Sequence, residues 1–142
     1  MMQMDRLVNA LTGCPSLPKK MGSELNMYTW LKKGLPFEAV DILIKNHKIT
    51  VAEMQRFIPP RTFARRKQER KLNAEESDTI ARLAMVVDFA EEVFGDNDKA
   101  SIWLRHPNKS LDGFSPIELL ETDYGARIVE TILGRIQHGI YS

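Results

Sequence analysis

The chain has 142 residues, 43% hydrophobic and 27% charged, with a formal net charge of +1, a composition that suits one globular core or two small abutting ones. Its longest apolar runs are only a few residues, as at Ala84-Met85-Val86-Val87, against the ~20 needed to cross a bilayer; with no charged lead into an apolar stretch at the N-terminus, a cytoplasmic protein without a membrane partner is expected. Cys14 alone cannot close an intramolecular disulfide, and His47, His106 and His138 offer no cluster at zinc spacing, so neither a metal nor a cofactor is expected.

Residues 1–22 carry Cys14-Pro15-Ser16-Leu17-Pro18 and Gly22 without periodicity, which predicts a flexible N-terminal arm outside the core. From Glu24 to Lys33, Leu25, Tyr28 and Leu31, with Met27 and Trp30 beside them, mark a helix that stops at Gly34. Pro36 suits a first helical turn, and Phe37, Val40, Leu43 and Ile44 follow at helical spacing. Thr50-Val51-Ala52-Glu53 is a capping box opening a short helix that buries Val51, Met54 and Ile58. Pro59-Pro60 ends it, and Pro60 opens the next helix.

That next helix is strongly basic: Arg61, Arg65, Arg66, Lys67, Arg70 and Lys71 stand against Glu69 alone. Two short helices joined by a tight turn, the second cationic, form the outline of a helix-turn-helix. At about 100° per residue, Phe63 and Ala64 fall on one side, with Arg61, Thr62, Arg65, Arg66, Gln68 and Glu69 on the other, the expected reading face. Arginine presents a planar fork to guanine or phosphate, and Thr62 can bond phosphate or touch a thymine methyl. Glu69 is expected to pair with Arg65 rather than to read a base. The bland reading of such a run is a solvated helix face; the capped helix and Pro-Pro turn ahead of it favour nucleic acid.

Beyond Leu72 the charge inverts. Glu75, Glu76, Asp78, Asp88, Glu91, Glu92, Asp96 and Asp98 face only Arg82, which suggests a second surface with a different partner. Asn73-Ala74-Glu75-Glu76 caps a helix apolar on two stripes, Ile80, Leu83, Ala84, Val87 and Val86, Phe89, Ala90, Val93. Gly95 closes it. A helix from Asp96-Asn97-Asp98 reaches Pro107, Ser115-Pro116-Ile117-Glu118 caps a short one, and a last helix runs from near Asp123 through Ile136. Trp103 and Tyr124 are expected to pack in the core. Ile140 and Tyr141 near the C-terminus either serve a partner or fray. With no strand signal, the expected fold is all-α: a helix-turn-helix N-terminal half followed by a small C-terminal helical bundle. No nucleophile elbow, zinc-protease motif or phosphate loop is present, so no catalytic residue is assigned and the chain is not expected to be an enzyme.

The run Arg61-Thr62-Phe63-Ala64-Arg65-Arg66-Lys67, then Glu75-Glu76-Ser77-Asp78, Ala90-Glu91-Glu92-Val93-Phe94-Gly95, Trp103-Leu104-Arg105-His106-Pro107-Asn108, Leu111-Asp112-Gly113-Phe114-Ser115-Pro116 and Thr122-Asp123-Tyr124-Gly125-Ala126-Arg127 resembles the Xre/MbcA/ParS-type antitoxins of bacterial toxin-antitoxin systems, over about residues 35–142. The resemblance implies an Xre-like helix-turn-helix over 23–72 and a helical toxin-binding domain over 73–142. It implies as partners a RES-domain toxin that destroys NAD or transfers from it, operator DNA, and a second copy in a homodimer. In such systems the C-terminal region covers the toxin's NAD pocket and the complex represses its own operon. Carried onto this sequence, Arg61, Thr62, Arg65 and Arg66 would contact DNA, and Arg127, Arg135, Gly139, Ile140, Tyr141 and Ser142 would contact the toxin. Two other classes stay open: a stand-alone regulator whose acidic half dimerises or binds an effector, and an adaptor whose basic helix binds an acidic protein.

Overall fold

The computed structural model describes residues 3–18 and 24–139. Among them all regular structure is helical, apart from an isolated antiparallel bridge between Pro36 and Lys71. No helix among the described residues is long and apolar enough to cross a membrane.

The centre is α6, Ala74–Phe94. Asn73 and Glu76 cap its start reciprocally, and Gly95 ends it in the left-handed conformation at φ 72°. Ile80, Leu83, Ala84, Val86, Val87 and Ala90 are all buried, as a helix apolar over most of its circumference must be. The other helices pack around it.

The first of these corrects the expectation of an arm. Gln3–Ala10 is a helix, α1, whose Leu7, Ala10 and following Leu11 are buried against α6. Their i, i+3, i+4 spacing carried the signal, and the breakers that suggested an arm begin only at Gly13. Polar contacts fix the register: Arg6 pairs with Asp88 and Glu92 and lies over the Phe89 ring at 4.0 Å, while Asn9 donates to Asp88. Burial raises the Asp88 pKa even though Asn9 and Arg6 oppose it.

α2, Glu24–Lys33, shows the opposite face to the one expected: Met27 and Trp30 are buried, Leu25 and Tyr28 exposed. Both sides of this helix are apolar, and the indole, with the larger area to hide, selects the core. Gly34 then turns the chain at φ 101°; a Cβ there would meet the Leu72 carbonyl oxygen at 2.1 Å, so only glycine permits the close approach. Pro36 sits ahead of α3, Glu38–Asn46, rather than inside its first turn. It is held by backbone bonds from Leu72 to Leu35 and from Phe37 to Arg70.

α4, Val51–Phe57, opens on the Thr50/Glu53 capping box and buries Met54 and Ile58, but Val51, at its first position, is 47% exposed. α5, Pro60–Glu69, follows after Ile58 and Pro59. Beyond α6 come α7, Asn97–Arg105, a 3-10 turn at Lys109–Leu111, α8, Pro116–Leu119, and α9, Asp123–Gln137. α8 begins with the Ser115/Glu118 capping box and proline in its first turn. Gly125 lets α9 cross α8, since a Cβ there would meet the Leu119 oxygen at 1.9 Å.

Polar contacts tie the segment before α5 to the segment after α6. Arg105 of α7 grips Glu53 of α4 with two bonds of 2.7 and 2.6 Å and also donates to the Lys48 carbonyl. Arg56 pairs with Glu121 at 2.7 Å, Lys48 with Asp98, and Asn97 donates to the Asn46 carbonyl.

Candidate nucleic-acid and partner-binding surfaces

α4, a two-residue turn and α5 form the helix-turn-helix outline, and the side chains of α5 divide unlike the sequence expectation. Phe63 is buried and meets Phe37 edge-on, with centroids 5.4 Å apart, which seats α5 on α3. Ala64 is exposed rather than buried, and Thr62 is half-buried. The outward stripe is therefore Arg61, Ala64, Arg65 and Gln68, all exposed at i, i+3, i+4 and i+7. Arg61 and Arg65 make no salt bridge among the described residues.

Arg66 behaves differently. Its side chain is 17% exposed, with Nε 2.7 Å from Glu76 and an Nη 3.1 Å from Glu69. Glu69 thus pairs with Arg66, three residues away, and not with Arg65. Because Glu76 is also the capping residue of α6, Arg66 fastens the C-terminal part of α5 to the start of α6. Arg70 caps α5 at φ 62° and is held by Asp41 at 2.8 Å and by the Phe37 ring at 5.1 Å.

At the N-terminus of α5, Pro59 supplies no side-chain cap. Pro60 has no N–H and that of Phe63 is bonded to the Pro59 carbonyl, so what this end offers a phosphate is the positive end of the helix dipole. Charge, dipole and a small residue between two arginines together suit close approach to a duplex groove.

The second surface lies on α9. Gly125, Ala126, Val129, Ile132 and Leu133 face the core, which leaves Arg127, Thr131 and Arg135 outward. Arg127 pairs with Asp123 at 2.9 Å, and both are largely exposed. Gly139 is exposed at φ 71°; Ile140, Tyr141 and Ser142 lie outside the described residues. Sequence reasoning missed two residues here. Tyr124, expected to pack, is 76% exposed, and Ile128 is 37% exposed; at helical spacing both fall among Arg127, Thr131 and Arg135. Phe114 and Ile102 are also exposed. Tyr124 and Ile128 beside Arg127 and Arg135 on one helix face have the make-up of a protein-binding surface. Trp103 packs against the core as expected, 5.5 Å from Phe94.

His47 lies between α1, α3 and α6. Its Nδ1 donates to Glu91 at 2.8 Å and its Nε2 to the Ala10 carbonyl at 2.9 Å. Burial works to lower its pKa, but Glu91 and that carbonyl outweigh it and the net shift is upward. Cys14 is buried and its thiol is pushed up to about 12, which removes it as a nucleophile. His106 and His138 are exposed, and the described residues contain no group of three side chains suited to a metal.

Residues 31–85 match the family model described as antitoxin Xre-like helix-turn-helix domain, and residues 89–139 match antitoxin Xre/MbcA/ParS C-terminal toxin-binding domain. The two matches meet inside α6. An antitoxin Xre of Photorhabdus laumondii is 36% identical over 94% of this chain and 92% of its own length. One of Yersinia enterocolitica is 38% identical over 79% of this chain and 78% of its own. A Prs ADP-ribosylating antitoxin of Sphingobium sp. is 31% identical over half of each chain.

Proposed function

Since the chain belongs to the Xre antitoxins, with a helix-turn-helix domain and a toxin-binding domain, we propose that it neutralises a RES-domain toxin that consumes NAD and that it binds operator DNA as a homodimer to repress its own operon. The protein acts in the cytoplasm. The observation that carries this reading is the separation of two outward stripes of unlike chemistry, cationic on α5 and mixed apolar and cationic on α9.

Arg61, Thr62 and Arg65 contact the duplex, and Arg66 positions the helix that presents them. Arg127, Arg135, Gly139, Ile140, Tyr141 and Ser142 meet the toxin, joined by Tyr124 and Ile128, and the end of the chain covers the NAD pocket. The chain itself carries no reaction. The division between the two activities falls between 23–72 and 73–142, with α6 common to the cores of both. The Sphingobium relative is named Prs ADP-ribosylating antitoxin, and ADP-ribosylation is chemistry that draws on NAD, which is in keeping with the proposed partner.

The test is co-expression with the neighbouring toxin gene while cellular NAD and growth are followed. The intact chain restores both; a chain lacking residues 139–142 folds but restores neither. Restoration by the shortened chain would overturn the assignment of the tail. In the same cells the promoter should be silenced, and a dimer should protect an inverted repeat with half-sites spaced by whole turns of the duplex.

A further inference from the structure

We infer that the cavity at the C-terminal end of α5 binds a small phosphorylated anion. It has a volume of about 720 Å³, within the size range of small-molecule sites. Asn26, Thr29, Trp30 and Lys33 of α2 form one side; Arg70 and Lys71, just beyond α5, form the other. No acidic side chain lines it among the described residues.

Two features point to an anion. Lys33 and Lys71 make no salt bridge among the described residues, so two cations stand at the cavity without a counter-charge. Arg70 adds a third positive group, shared with Asp41 and Glu38. Trp30 lines one wall, so its emission reports on the site. Two ammonium groups and a guanidinium about one cavity suit the multiple charges of a phosphate or pyrophosphate better than a single carboxylate. The site is built into the fold: Gly34 forms part of the wall, and Lys71 Cε lies 3.3 Å from where a Cβ on Gly34 would stand.

The location gives the ligand a lever. Arg70 caps α5 and lies over Phe37, which seats Phe63. An anion that draws Arg70 away from Asp41 therefore loosens the seat of α5. That coupling rests on the operator-binding reading above; the binding itself does not.

The full chain carrying Trp103→Phe is titrated with ATP, inorganic pyrophosphate and adenosine at low salt, with Trp30 emission and isothermal calorimetry as readouts. Saturable binding of ATP and pyrophosphate but not adenosine is expected. Lys33→Ala with Lys71→Ala should weaken it at least about tenfold, a surface change that circular dichroism checks for folding, while Arg61→Ala with Arg65→Ala leaves it unchanged. Four results would overturn the site: no saturation by about 5 mM, adenosine binding as well as ATP, loss in the Arg61/Arg65 variant with retention in the lysine variant, or displacement of pyrophosphate by a short non-operator duplex whose own binding depends on the two lysines. Where the site holds, saturating ATP should shift operator affinity at least about threefold; no shift would remove the coupling and leave the site.

Discussion

The outward faces of α5 and α9 are both stripes on short helices, yet they are held and charged in different ways. α5 is seated by one buried aromatic, Phe63, and by the ion pairs of Arg66 and Arg70; its exposed face offers charge and almost no apolar area. α9 lies on a broad apolar face from Gly125 to Leu133 and spends exposed apolar surface, Tyr124 and Ile128, on the outside. On the proposed assignment of α5 to DNA and α9 to a toxin, the difference teaches what each ligand demands. A polyanion is gripped through charge and counterion release, whereas a folded protein is held by a few desolvated aromatic and arginine anchors.

The sharpest break is Phe63→Ala. It removes the seat of α5 and should lower global stability by about 3 to 5 kcal/mol, read from the urea midpoint. Operator binding should vanish under conditions where the remaining folded fraction still binds toxin; equal loss of both would show that the surfaces are not separable. Tyr124→Ala comes next. It should cost about 2 kcal/mol or more of toxin affinity in a pull-down or calorimetric titration, with the melting temperature unchanged. Its mirror on the other face is Arg65→Ala, expected to weaken operator binding by about 1 to 3 kcal/mol in a gel-shift titration while growth rescue stays intact.

Two smaller effects concern the ties around α6. Burial tends to raise the Glu53 pKa, but Arg105 and Thr50 outweigh it and hold it below its ordinary 4.5. A lowered native value means that this pair stabilises the fold above pH 4.5 and that the contribution fades as pH falls through the native pKa. Glu53→Gln should lose about 1 kcal/mol at neutral pH after allowance for solvent screening, and should flatten the acid limb of the stability profile. His47 has the opposite sign. Its pKa is raised above 6.5, so its imidazolium contributes fully below that pH and the contribution is lost as pH rises through the native value. Glu91, Asp88 and the Ala10 carbonyl face the ring from α6 and α1. His47→Gln should remove no more than about 1 kcal/mol, seen as a smaller drop in melting temperature between pH 6 and about 8.

Helix ends were the most legible part of the sequence. The caps at Thr50, Asn73 and Ser115 are short-range chemistry, complete within four residues, and all three form as read. The burial of α6 on several sides followed from two adjacent apolar stripes. Choices decided by distant partners were not legible. α2 has two apolar faces, and only the packed fold picks Trp30 over Tyr28. Tyr124 has the size of a core residue, but its place on α9 points it away from α6. Glu69 lies within reach of both Arg65 and Arg66; Glu76, seven residues further on, draws Arg66 to its side and leaves Arg65 to solvent. α1 was hidden by reading its leucines together with the breakers that follow them.

The continuity of α6 has a consequence for how such a protein can diversify. This helix packs against α1, α2, α3 and α4 on the one hand and α7 and α9 on the other, so no cut through it yields two self-sufficient pieces. Recombination that joined the front of one homologue to the back of another would have to inherit a matched beam. On the proposed assignment of α9 to the toxin and α5 to the operator, new toxin specificities would arise by point changes along the solvent side of α9, under a DNA-reading end that need not change.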